Sequence, residues 1–134
     1  RTEGVIAPLP FESPEQLPAG EPVVVEIEPL GEASYVYVDL YREDGSVVHV
    51  YPESAQNARI PPGVAVASGK SARAWQVEAP YGDAMVVVLA VREPLGEMHT
   101  RSEPAQDYLA KLHRVFKSGG ALLGAQYRMV TTGP

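Results

Sequence analysis

No part of this chain restricts its fold as tightly as the stretch from Ser34 to Tyr51 (SYVYVDLYREDGSVVHVY), two alternating segments joined by Glu43-Asp44-Gly45. Side chains along a strand point alternately to its two faces. Val36, Val38 and Leu40 therefore share one face of the first segment, and Tyr35, Tyr37, Asp39 and Tyr41 the other. A three-residue loop with Gly45 in the left-handed region suits the turn. It pairs Tyr41 with Val47, Leu40 with Val48, Asp39 with His49, Val38 with Val50 and Tyr37 with Tyr51. A two-residue loop slips the pairing by one and mixes the faces, so the three-residue register is expected. The hairpin then has an aliphatic face and a face of four tyrosines (Tyr35, Tyr37, Tyr41, Tyr51) around an Asp39–His49 cross-strand pair.

The tyrosine face has two physical readings. Phenol rings offer rigid contact area with a polar tip, which suits a binding surface. They also populate strands readily, and another element of the same chain covering them is the simpler explanation. Asp39 and His49 likewise read first as a cross-strand pair and only then as a catalytic dyad.

With 134 residues the chain is long enough for one domain with a real core. Its net charge of −6 argues against nucleic acid and against a polybasic membrane anchor. No apolar run has the length of a membrane-spanning helix. With no cysteine there are no disulfides, thiolate metal sites or cysteine nucleophiles. The chain opens at Arg1 rather than Met, as expected of a processed chain or a piece of a longer protein.

Residues 1–20 are rich in proline and glycine and read as an extended lead-in or linker ahead of a single β-rich domain, 21–134. Glu21–Pro29 reads as a strand with Val23, Val25 and Ile27 inward. Ile60-Pro61-Pro62-Gly63 is a stiff turn with Ile60 against the core edge, Val64–Ala67 a short strand and Ser68–Ala72 a flexible loop. Trp75–Ala79 alternates with Trp75 inward. Ala84–Val91 (AMVVVLAV) has no polar position and predicts a central strand buried on both faces. After a loop over Pro94–Arg101, Ser102 is a candidate N-cap and Glu103 and Pro104 suit a first helical turn. Ala105, Tyr108, Leu109, Leu112, Val115 and Phe116 form an apolar stripe on a helix over 103–117, which Gly119 and Gly120 stop. A last strand, 121–131, carries Leu123, Ala125, Tyr127 and Met129 on one side and Gln126 and Arg128 on the other. The expected fold is mainly β: a β-sandwich of six or seven mostly antiparallel strands, with the late helix packed on it and the hairpin's tyrosine face as the helix's obvious seat.

Residues 21–95 resemble the bacterial domain of unknown function 4384 family. The resemblance rests on the apolar strand before the hairpin, Tyr35-Val36-Tyr37-Val38, the Asp44-Gly45 turn, Val50-Tyr51-Pro52-Glu53, Asn57–Gly63 (NARIPPG), the apolar strand after Pro80-Tyr81-Gly82, and Glu93-Pro94-Leu95. Glu53 stands where the family tends to have Asn. The resemblance implies an accessory domain appended to larger bacterial proteins, among them caspase-like peptidases, serine/threonine kinases and envelope-associated proteins. It implies no catalytic residues.

The residues themselves supply no reaction. Gly69-Lys70-Ser71 lacks the first glycine of a phosphate loop, the three histidines (His49, His99, His113) lack zinc spacing, and no serine nucleophile elbow is present. No metal, cofactor or enzymatic activity is expected. The expected function is a protein-binding accessory module of the bacterial envelope or periplasm, or of a signalling assembly. It contacts a partner protein, or other domains of its own polypeptide, through a strand edge or through Tyr35, Tyr37, Asp39, Tyr41, His49 and Tyr51. A carbohydrate- or peptidoglycan-binding module using the same tyrosines with Trp75 is the alternative, and an enzyme centred on Asp39 and His49 comes last.

Overall fold

All ten residues from Gly82 to Val91 form one strand, and its apolar run places it in the middle of the larger of two sheets. The structure, a computed structural model, describes residues 11–13, 15–52, 59–70, 74–95, 101–117 and 122–134. In chain order the elements are β1 (Phe11–Glu12), β2 (Gln16–Pro18), β3 (Glu26–Ile27), β4 (Ser34–Arg42), β5 (Ser46–Tyr51), β6 (Arg59–Ile60), β7 (Val66–Ala67), β8 (Gly82–Val91), β9 (Ser102–Pro104), α1 (Ala105–Phe116) and β10 (Leu122–Gly133). The large sheet has the order β2-β10-β8-β4-β5-β9, with β6 paired to the start of β4. A small sheet has the order β1-β3-β7. All pairings are antiparallel except β10 with β2.

The two faces of the large sheet bury separate clusters. One joins Val36, Val38, Leu40, Val48, Val50, Val86 and Val88 to Phe11, Ile27 and Val66 of the small sheet and to Val23, Val25 and Val77. That is the sandwich core, drawn from both sheets as expected. The other face buries Tyr37, Val47, Leu89 and Val91 under Tyr108 and Leu112 of α1. The molecule is mainly β in three layers: small sheet, large sheet, helix.

The turn of the β4–β5 hairpin is the expected one. Gly45 has φ +87° and donates its N–H to the Arg42 carbonyl at 3.1 Å. Asp44 Oδ1 accepts from the Ser46 N–H at 3.0 Å and from its hydroxyl at 2.6 Å. Tyr41 pairs with Val47, Leu40 with Val48 and Asp39 with His49. Beyond Asp39 a bulge intervenes: Val38 pairs with Tyr51 and Val50 is the extra residue. The expected Val38–Val50 and Tyr37–Tyr51 pairs are thereby corrected, and the bulge turns Tyr51 to the sandwich side, where it packs against the aliphatic core.

Several other boundaries differ from expectation. Of the expected lead-in over 1–20, residues 1–10 lie outside the described residues, while beyond them Phe11 and Leu17 are buried and β1 and β2 join the small and large sheets. Inward Val23, Val25 and Ile27 are buried as expected, but only Glu26–Ile27 is strand. Trp75–Ala79 makes one isolated bridge, Pro22 to Gln76, instead of a strand. Ser68 is buried rather than in a flexible loop, accepting from the Val25 N–H at 3.1 Å and donating to the Val23 carbonyl at 3.0 Å. Helix α1 starts at Ala105 with Pro104 as N-cap and no side-chain cap bond, because Ser102–Pro104 pair with β5 as β9. Glu53, Asn57, His99, Gly119 and Gly120 lie outside the described residues. Among the described residues no helix is long and apolar enough to cross a membrane.

Candidate functional site

On the helix-facing side of β4 and β5, Asp39 and His49 stand directly opposite one another, as the turn requires. His49 Nδ1 lies 2.8 Å from Asp39 Oδ1. Two residues from the C-terminal part complete the cluster. Glu103 of β9 brings Oε2 to 2.6 Å from His49 Nε2, and Tyr108 of α1 donates its hydroxyl to Asp39 Oδ2 at 2.6 Å. The Tyr108 ring also meets the His49 ring edge-on at a centroid distance of 4.6 Å. Asp39, His49 and Tyr108 are buried, and the Glu103 side chain keeps one-fifth of its surface exposed.

The electrostatics follow from burial and charge. Burial by itself lowers the His49 pKa, but the Asp39 and Glu103 hydrogen bonds and charges outweigh it, and the net direction is upward. Burial raises Asp39, and the hydrogen bonds from His49 and Tyr108 oppose the rise without reversing it. Tyr108 and Tyr41 are both pushed up, first by burial and then by the Asp39 charge. Two carboxylates and a neutral imidazole hold one ring N–H between them, whereas the two short contacts need a proton each. The cluster therefore favours binding one proton more, which gives His49 an N–H toward each carboxylate. Each member faces another member, and the arrangement ties β9 and α1 to the hairpin.

The structure separates the six residues expected to form one contact surface. Tyr37, Asp39 and His49 are buried under α1, and the Tyr37 hydroxyl accepts the Leu95 N–H at 2.9 Å. Tyr35 and Tyr41 are half-buried at the margin of the same cluster. Tyr51 is on the opposite face. An open tyrosine surface is thus corrected to a helix seat, the simpler of the two readings. Trp75, half-buried, packs against the sandwich core with the Arg42 guanidinium 5.8 Å from its ring centroid. It and the helix-side tyrosines lie on opposite faces of the sheet, so they form no common platform.

Exposed apolar area lies elsewhere. Tyr127 and Met129 of β10 are 62% and 57% exposed, the largest values among the described large apolar residues. Opposite them on β8 stand Val87 and Met85, both half-buried. A register shift between Leu122 and Gly124 moves Leu123 to the sandwich side, so it leaves the side expected to hold Ala125, Tyr127 and Met129. The outer edge of β10 pairs with β2 only over Thr131–Gly133. From Leu122 to Val130 no strand among the described residues pairs with it.

The backbone phase of that edge is fixed. Thr131 donates its N–H outward to the Glu15 carbonyl, and the Gly133 carbonyl accepts outward from Ala19. Peptide groups alternate sides along a strand, and the β8–β10 register is unbroken from Gly124 to Thr132. Ala125, Tyr127 and Met129 therefore also aim N–H and C=O outward. The sequence placed Tyr127 and Met129 on one side of a last strand. That no described strand pairs outside them was missed, because the letters of one strand do not say which neighbours its edge has.

A sequence model for the family described as Domain of unknown function (DUF4384) matches residues 16–94. No curated protein and no solved structure matches the chain.

Proposed function

This chain belongs to the DUF4384 family, and we propose that it serves as a non-enzymatic accessory module, binding protein by strand addition to the outer edge of β10. One observation carries this: Ala125, Tyr127 and Met129 offer outward peptide groups beside the most exposed large apolar side chains of the described residues. An uncovered edge is a template for another strand, and natural proteins commonly blunt it with short strands, charge or a covering element. In strand addition the ladder supplies affinity and alternate side chains supply specificity. Tyr127 and Met129 would be those alternate contacts. The proposed setting is a bacterial envelope or signalling protein, with the partner in another polypeptide or another domain of the same one.

The carbohydrate alternative needs all four tyrosines and Trp75 on one platform, whereas Tyr35, Tyr37 and Tyr41 pack on one face of the sheet and Tyr51 and Trp75 on the other. An enzyme at Asp39 and His49 needs a cleft, and both side chains are sealed under α1.

The test is a display library of short extended peptides panned on the domain. Enriched sequences are expected to alternate apolar residues, to slow amide exchange at Ala125, Tyr127 and Met129, and to lose affinity for a Met129→Lys variant. Peptides that leave those amides unchanged and protect the hairpin instead would refute strand addition at β10.

A further inference from the structure

The edge of β10 that no described strand pairs has a centre. At one end β2 occupies it from Thr131 onward. At the other the register shift between Leu122 and Gly124 interrupts the strand. The outward-facing residues left between these limits are Ala125, Tyr127 and Met129, symmetric about Tyr127. Among the described N-terminal residues none fills the gap: β2 follows β10 in parallel, but β1 turns away to pair with β3. Arg128 holds that departing segment on the sandwich side, with its Nη2 3.1 Å from the Phe11 carbonyl and its guanidinium 5.1 Å from the Phe11 ring centroid.

Resting on the strand-addition reading above, we propose that the strand added at this edge is β10 of a second copy of the chain, antiparallel and related by a twofold axis through Tyr127. An antiparallel pair of outward-facing residues exchanges both of its N–H···O bonds. Centred on Tyr127, Tyr127 meets Tyr127 of the other copy and Ala125 meets Met129 in each direction, so every outward peptide group in the window is satisfied. The face-to-face chemistry agrees. Phenol lies against phenol, and Arg128 lies opposite Gln126, so no like charges oppose one another. A centre at Arg128 would instead place guanidinium against guanidinium and drive the second strand into β2. Such an interface is isologous, the same patch on both copies, and closes without leaving an edge for a third.

The twofold centre gives a test that a partner of any other kind cannot pass. Sedimentation velocity over a concentration series should show the wild-type chain converting from monomer to dimer. Residue 127 faces itself, so Tyr127→Lys and Tyr127→Asp should each weaken the dimer by roughly tenfold or more by setting like charges opposite one another. Equal amounts of the two variants mixed together should recover it as a mixed dimer. The exposure of Tyr127 allows both substitutions in the folded monomer, and an unchanged thermal melt checks this. A wild-type chain that stays monomeric throughout, a dimer that both variants leave intact, or a Lys–Asp mixture that fails to pair would each overturn the proposal. A monomeric chain whose β10 amides are still protected by displayed peptides would leave strand addition standing and remove only the second copy.

Discussion

His49 is held by a carboxylate on each ring nitrogen, Asp39 at 2.8 Å and Glu103 at 2.6 Å, and this sets how stability depends on pH. Its folded pKa lies above the ordinary 6.5. The stabilisation is therefore complete below about 6.5 and is lost as pH rises through the folded value. Asp39, raised from 3.8, acts with the same sign, since folding favours its proton too. Urea midpoints measured from about pH 6 upward should fall with pH in the wild-type chain, and the slope should flatten in His49→Gln; a midpoint that rises with pH contradicts the assignment. Tyr108→Phe leaves Asp39 Oδ2 without its donor in a buried site and should cost about 1–3 kcal/mol in the same titration. Only half of this cluster was legible. The turn chemistry of Glu43-Asp44-Gly45 determines the Asp39–His49 pair locally. Glu103 and Tyr108 arrive from 54 and 69 residues further along the chain, and no local pattern specifies such a meeting.

Among the elements, α1 shows how far a periodic stripe can be read. Tyr108 and Leu112 are buried, and Ala105 and Phe116 pack beside them, as the spacing requires. Leu109, counted in the same stripe, is 51% exposed. It sits one residue past Tyr108 and so about 100° around the helix, at the margin of what a sheet beneath can reach. Leu112→Ala should therefore cost about 2–4 kcal/mol, while Leu109→Ala stays within about 0.5 kcal/mol, as is usual for surface sites. Equal losses in thermal denaturation would mean the helix is docked on a different face. The hairpin was legible through its turn but not through its far end. The bulge at Val50 leaves the alternation of letters intact, so Tyr51 reads as a helix-side residue although it packs on the sandwich side. β1 and β2 are too short to show periodicity at all; only the burial of Phe11 and Leu17 marks them.

At the scale of the whole molecule, the family match ends at residue 94, yet the fold does not. β10 flanks β8 along ten paired positions, and α1 covers the only described cluster on the helix side. A chain ended after Leu95 would expose one full face of the large sheet and leave β8 as an edge. It should show no cooperative unfolding transition by circular dichroism, whereas a sharp transition would mean the matched stretch folds alone. The mainly β class and the helix's seat on the hairpin were readable from alternation and from an apolar stripe in need of a partner. Which edge stays open was not, because that depends on β2 returning beside Thr131–Gly133.

The central claim is that the hairpin's phenols are internal while the open contact is on β10. Site-resolved nitration of the seven tyrosines in the folded protein, read by mass spectrometry, measures this directly. Tyr127 and Tyr81, 62% and 38% exposed, should react first, and Tyr37 and Tyr108, 1% and 0% exposed, should stay unmodified until the chain unfolds. Nitration of Tyr37 or Tyr108 at the rate of Tyr127 would contradict the account.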